Sequence, residues 1–468
     1  MVPFFPRQVT NRAILTYVAA FIIVQIMYLQ YAMLPRYVII GFLSVFGFFL
    51  LSSRWTRDWK EKSERYFVRD VFIIAITLRL IWVVFSYFFF IDATGTPFEF
   101  GAADSVGYHE TALWLYRSPW STAFNYFFGP DSPGVSDSGY ALYLTLVYKT
   151  FGPNIIIARI LKAILSAYTC VLIYRIAKNT FGESIARMSI IMCALMPNLI
   201  FYCGYHLKET EMVFMEVWFL ERADSVFREK RFNFYKLIVP TLLAGSLFLF
   251  RTVLGAAAVF AFASAVLFSN SPLMKKNQRR LAFAGWGILC LLFLSGGIIS
   301  TEAEGLWTER DDNVSKKRLE QTLRGNRWAH YATGTVMLPM IYVLPFSTMV
   351  NVDEQYGQQE KHGGNYIRNF MGIFTLLGIY EAFRRKKWRD FALIGAFVIS
   401  YLVVIASSGF SNSERFLLPG LPCLILIWAY GIATLRKKTF KLLNPWCLVV
   451  ILMEVAWAYF KLGSRGLF

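Results

Sequence analysis

The chain has 468 residues, of which 56% are hydrophobic, 18% aromatic and only 17% charged, with mean hydropathy +0.46. That composition belongs to an integral membrane protein and excludes an ordinary soluble globule. The formal charge of +18 falls in short clusters between apolar runs, which argues for orientation against an anionic leaflet and against a nucleic-acid surface.

Arg7 and Arg12 precede an apolar run, 13–34, too long for a cleavable signal and without a small-residue cleavage site, so it reads as a signal anchor. A spanning helix needs about 20 mostly apolar residues. By that measure spans are predicted near 13–33, 37–53, 70–91, 154–178, 183–204, 210–225, 236–250, 253–269, 282–300, 367–383, 388–408, 416–434 and 443–461. The basic clusters at 54–69, 228–236, 275–280, 384–389 and 436–441 are expected on the cytoplasmic side. Parity then puts the N-terminus inside and the C-terminus outside, provided that 137–152 and 334–350 do not cross. Both are short or broken by proline, as interfacial or re-entrant segments are.

The predicted fold is an all-α polytopic membrane protein, a bundle of about 13 transmembrane helices with interfacial helices in outer loops 92–153 and 301–366. Three regions follow: an N-terminal hairpin and basic loop (1–69), a main bundle (70–434), and a basic loop with the last helix (435–468). In this topology His109, His206, His330 and His362 all lie on the outer side. So do Asp92, Glu99, Asp104, Glu110, Asp131, Asp137, Glu209 and Glu211. Titratable chemistry is gathered on one face. The six cysteines, at 170, 193, 203, 290, 423 and 447, lie in or beside apolar runs without metal or redox spacing and read as small buried hydrophobes.

FGAADSVGYHETALWLYR, residues 100–117, follows the third predicted span. Asp104 suits a general base taking a proton from an incoming hydroxyl; the competing role is a helix N-cap, without a capping box because Gly107 stands where Glu or Gln would reciprocate. Tyr108, four residues on, shares its side and could orient it or contact a sugar; His109 follows, and interfacial packing is the alternative for both. Glu209 and Glu211 open the sixth span, where a carboxylate implies a wet cavity unless Lys208 and His206 pair with them. Arg251 and Arg415, at the outer ends of apolar runs, could grip a lipid phosphate or snorkel to headgroups. Arg79 lies inside the third span with no acid near it in sequence and must face the bundle. There is no HExxH, no His pair at i,i+4 and no DxD in the outer loops. A divalent metal is therefore unsupported, although Asp311–Asp312 and scattered histidines could assemble one in space. No glycine-rich phosphate loop is present for a nucleotide donor.

Four stretches carry a family resemblance: Asp104 and Tyr108 in the first outer loop; GYALYLTLVYKTFGPNIIIARILKAILSAYTCVLIYRIAKNTFGESIARM (139–188); ALMPNLIFYCGYHLKET (194–210); and ERFLLPGLPCLILIWAYGI (414–432). The chain resembles the GT-C glycosyltransferases, in particular the branch holding protein O-mannosyltransferases and the aminoarabinose transferases of lipid A. The resemblance implies a catalytic base at Asp104, a rim acid at Glu209, donor-phosphate binding by Arg251 and Arg415, and substrate contacts from Tyr108, His109 and Tyr140. The chain departs from the mannosyltransferases in having Ser105 after Asp104 where they carry Glu, and in an added hairpin at 13–53. The soluble C-terminal domain of the oligosaccharyl-transferase branch is not expected, which disfavours en bloc oligosaccharide transfer to asparagine.

The expected activity is transfer of a sugar from a polyprenyl-phosphate donor to an acceptor hydroxyl of a glycan, lipid or protein, with inversion. The expected setting is the outer face of a bacterial inner membrane, with no nucleic-acid partner. The alternatives are a flippase or transporter of lipid-linked sugars, and a polymerase or ligase taking a polyprenyl-diphosphate oligosaccharide.

Overall fold

Prolines and glycines cut the apolar runs into helices close to the predicted spans. The computed structural model describes residues 4–129, 138–229, 233–269, 339–352, 355–407, 413–463 and 467. The predicted span 282–300, the basic cluster 275–280, His330, Asp131, Asp137 and the Asp311–Asp312 pair lie outside the described residues.

The first three long helices are α1 (Arg7–Met27), α2 (Pro35–Asp58) and α3 (Glu64–Thr94). Two interfacial helices follow, α4 (Ala103–Arg117) and α5 (Trp120–Phe128), then α6 (Ser138–Phe151), α7 (Ile155–Phe181), α8 (Glu183–Leu195), α9 (Pro197–Phe201) and α10 (Glu209–Phe227). α11 (Tyr235–Phe250) and α12 (Thr252–Phe268) form a hairpin. The C-terminal part contains α13 (Tyr356–Glu360), α14 (His362–Arg384), α15 (Ala392–Ser407), α16 (Glu414–Leu417), α17 (Leu421–Ala433), α18 (Lys437–Phe440) and α19 (Leu443–Gly463). Every regular element among the described residues is helical, and five of the helices are long and apolar enough to cross a membrane: α1, α2, α3, α7 and α19. The chain is a polytopic all-helical membrane protein.

The basic clusters among the described residues meet at one end. Arg187 at the start of α8 donates to the carbonyls of Trp59 (2.9 Å) and Lys62 (2.8 Å). Arg228 reaches Thr180 at 3.0 Å, Arg436 lies 3.9 Å from Glu381, and Phe181 packs on Phe391 with centroids 4.4 Å apart. At the other end the chain after α1 pairs with the 339–352 segment, Asn351 N–H donating to the Tyr31 carbonyl at 2.8 Å.

Two predicted spans are broken. Residues 183–204 divide into α8 and α9 because Pro197 pushes Met196 to extended backbone (ψ 114°). Proline also removes the N–H that would have served the Cys193 carbonyl. Arg79, fully buried on α3, fills that gap: it donates to the carbonyls of Cys193 (3.4 Å) and Ala194 (3.2 Å), and to Ser166 Oγ at 2.7 Å. Two of its partners are thus backbone oxygens at a helix break. Residues 416–434 likewise divide into α16 and α17 on either side of Leu418–Gly420.

The described parts of the two doubtful segments, 138–152 and 339–350, contain no helix of membrane-spanning length. α6 has 14 residues, a length of about 21 Å against a hydrocarbon core of about 30 Å. Residues 341–350 run without a helix, largely buried, and several of their carbonyls accept from side chains of other segments. Asn369 Nδ2 serves Val343 and Pro345, and Gln25 Nε2 serves Met349 at 2.6 Å. Irregular backbone survives at such depth when protein satisfies it.

α14 and α17 touch backbone to backbone through glycine. A Cβ on Gly431 would stand 2.4 Å from the Phe374 carbonyl oxygen, and one on Gly378 would stand 2.7 Å from that of Ile427; small residues permit this approach. Gly431→Ala is therefore expected to cost about 1–3 kcal/mol of stability, seen as a lowered Tm in detergent. Gly47→Ala, whose Cβ would meet open space, is the control and should lose nothing.

Candidate active site

α3 ends at Gly95, whose left-handed φ of 74° stops the helix, and a turn containing Gly101 (φ 68°) leads into α4. Asp104 is the second residue of α4. The N-cap position is Ala102, with no side-chain cap, so the capping role weighed for Asp104 is overturned. Its carboxylate turns instead to Arg415 Nη1 on α16.

Arg415 is a bridge. Through Nε it also bonds Glu209 at the head of α10. Glu209 in turn accepts from Arg251 Nη2 at 3.3 Å. Arg251 caps the α11–α12 hairpin, with its second nitrogen 3.2 Å from the Tyr401 hydroxyl and its guanidinium 4.3 Å above the Phe416 ring. Four residues from three distant parts of the chain thus form one line of alternating charge. Exposure differs sharply along it: the Asp104 side chain is 56% exposed, Arg415 21% and Glu209 0%. Asp104 is the carboxylate available to a molecule from water, while Glu209 is a buried counter-ion whose Oε2 has no hydrogen-bond partner among the described residues.

Of the partners weighed for the rim acids, Lys208 stays near enough to Glu209 to feel its charge, while His206 bonds elsewhere. Lys208 donates to the Phe250 carbonyl at 2.8 Å, and His206 Nε2 pairs with the Tyr148 hydroxyl at 3.2 Å. Glu211 instead faces Lys162 of α7 at 3.7 Å, and Lys162 donates to the Tyr205 carbonyl at 2.8 Å. Burial, then the neighbouring Arg251 charge, pushes the Lys208 amine down to about 7.

Tyr108 faces the charged line. Burial, more than any of the four charges, raises its hydroxyl to about 12, so it is a neutral donor. Its ring meets Tyr140 edge-on at 5.0 Å. Tyr140 itself is fully buried, with Lys162 Nζ 5.2 Å from its ring. His109 turns away from Asp104: its Nδ1 lies 2.8 Å from the Tyr148 hydroxyl, which also meets His206. Burial lowers both imidazoles below their usual range, so this chain is neutral and ties α4 to α6 and to the segment after α9.

Sequence reasoning assigned no role to Glu99. It is buried, accepts from Ser105 Oγ, and takes the backbone N–H of His206 at 3.2 Å. It thereby clamps the residue next to Asp104 onto the segment leading to Glu209. Glu414, beside Arg415, points the other way, to Asn198 Nδ2 and to Lys361 at 3.2 Å. Among the described residues no group of three His, Cys, Asp or Glu converges as metal ligands do.

None of the curated proteins compared with the chain matches it. Residues 138–299 match the model of the dolichyl-phosphate-mannose-protein mannosyltransferase family, a stretch that contains Tyr140, Glu209 and Arg251. The resemblance carried by 139–188 and 194–210 therefore has independent support, and the chain is similar over that stretch to GT-C membrane glycosyltransferases, enzymes that draw on a lipid-linked sugar donor.

Proposed function

We propose that the protein transfers one sugar from a polyprenyl-phosphate donor to an acceptor hydroxyl, with Asp104 as general base, at the outer face of a bacterial inner membrane. The supporting observation is the half-exposed Asp104 joined through Arg415 to the buried Glu209 and Arg251. A base open to water thus touches the Arg415 guanidinium, and Glu209 ties a second guanidinium, that of Arg251, to the first; such groups suit a phosphate. A donor phosphate arriving beside Arg415 competes with Asp104 for the guanidinium and releases the carboxylate to the acceptor. The acceptor O–H gives its proton to Asp104 as its oxygen attacks the anomeric carbon. The bond from that carbon to the phosphate oxygen breaks, and its electron pair leaves on the phosphate, whose charge Arg415 and Arg251 hold. One displacement inverts the anomeric centre. Glu209 acts by holding both arginines in place, and Tyr108 lies where it can donate to sugar or phosphate oxygens.

Product formation by purified protein in detergent, without any gradient, is the expected result; transport without product would favour the flippase reading. Transfer from a one-sugar polyprenyl phosphate is expected, whereas exclusive use of a polyprenyl-diphosphate oligosaccharide would favour the polymerase or ligase reading.

Lys208 supplies a pH dependence. The amine is charged below about 7 and neutral above, and a bound phosphate favours the charged form. Donor affinity is therefore expected to fall as pH rises through 7, visible as a rising donor KM. Lys208→Met should flatten that limb of the profile.

A further inference from the structure

The α1–α2 hairpin holds a hollow at the basic end of the bundle. α3 separates this end from Asp104: its 31 residues rise about 46 Å. The hollow has a volume of about 500 Å³ and is lined by Arg7, Thr10 and Asn11 of α1 and by Leu50, Leu51, Ser53, Arg54, Arg57 and Asp58 of α2. That volume lies within the range of about 300–1,000 Å³ usual for small-ligand sites.

Its charges do not cancel. Three arginines face one carboxylate, and Asp58 is shared by Arg54 (3.4 Å) and Arg57 (3.7 Å), which leaves Arg7 without an ion pair among the described residues. The hydroxyls of Thr10 and Ser53 donate to the carbonyls of Phe49 (3.2 Å) and Phe5 (3.3 Å), so the donors open to a ligand are the guanidiniums and the Asn11 amide. Orientation of the chain needs basic residues on this side, but it does not need them gathered around a cavity. Leu50, 48% exposed, and Leu51 give the hollow an apolar wall continuous with the lipid-facing surface of α2.

We infer that this hollow binds the headgroup of an anionic glycerophospholipid, its phosphodiester held by Arg7, Arg54 and Arg57 and its acyl chain leaving over Leu50 and Leu51. An excess of two positive charges suits a phosphodiester without an amine and disfavours a zwitterionic head, whose ammonium would sit among guanidiniums. Basic hollows between membrane helices hold anionic headgroups in this manner. The site stands apart from the Asp104 chemistry and does not depend on it.

Native mass spectrometry of the detergent-purified full chain, titrated with phosphatidylglycerol, phosphatidylcholine or inorganic phosphate, tests this. Tight retention of phosphatidylglycerol over phosphatidylcholine is expected, with a roughly hundredfold loss in the R7Q/R54Q/R57Q variant. The R7K/R54K/R57K variant keeps the charge that orients the chain but lacks the forked grip, and should bind with intermediate strength. Equal retention of both lipids, unchanged binding by the glutamine variant, or displacement of phosphatidylglycerol by equimolar inorganic phosphate would each overturn the assignment.

Discussion

Asp104→Asn is expected to lower turnover by roughly 10²–10⁴-fold while leaving the protein folded. The substitution keeps size and a hydrogen-bonding oxygen, so Arg415 retains a partner at that place, but an amide cannot accept the acceptor's proton. Because the side chain is 56% exposed, its ion pair contributes little to stability, and the Tm should move little. Donor KM is expected to hold or fall, since a neutral residue no longer competes with phosphate for Arg415. Wild-type turnover in this variant would refute the base assignment. A collapse of Tm alongside activity would recast Asp104 as a structural residue.

Glu209→Gln has the opposite signature. Glu209 is fully buried and neutralises parts of two guanidiniums, Arg251 and Arg415. Removing one member of a buried pair typically costs about 3–5 kcal/mol, because the remaining charge is stranded. Arg251, only 8% exposed, cannot escape to water. A large drop in Tm is expected, partly recovered in the double variant Glu209→Gln/Arg251→Met, which removes the stranded charge as well. If the double variant is no more stable than the single one, Glu209 is not the counter-ion of Arg251.

Much of the architecture was legible because membrane helices announce themselves by length and apolarity. α2, α3, α7, α10 and α14 enclose or nearly match the predicted spans, and the clusters around Arg57, Arg228 and Arg384 meet at one end as the charge rule requires. The breaks were less visible. Pro197 is plain in the sequence, yet only the fold shows Arg79 replacing the bond that proline removes. Asp104, Glu209, Arg251 and Arg415 could each be singled out from charge at the rim of an apolar run. Their mutual pairing could not, since contacts across hundreds of residues leave no periodicity. For the same reason His206 looked like a partner of Glu209 by adjacency, although it bonds the Tyr148 hydroxyl instead. Glu99 had a visible charge but no local pattern, because its partners Ser105 and His206 come from two different segments.

The Asp104–Arg415 contact joins residues 311 positions apart. A ribosome-bound chain carries Asp104 into the bilayer early, but the guanidinium that completes the line follows only 311 residues later. Unfinished products therefore cannot assemble the charged line, and termination anywhere upstream of α16 leaves Asp104 and Glu209 without Arg415.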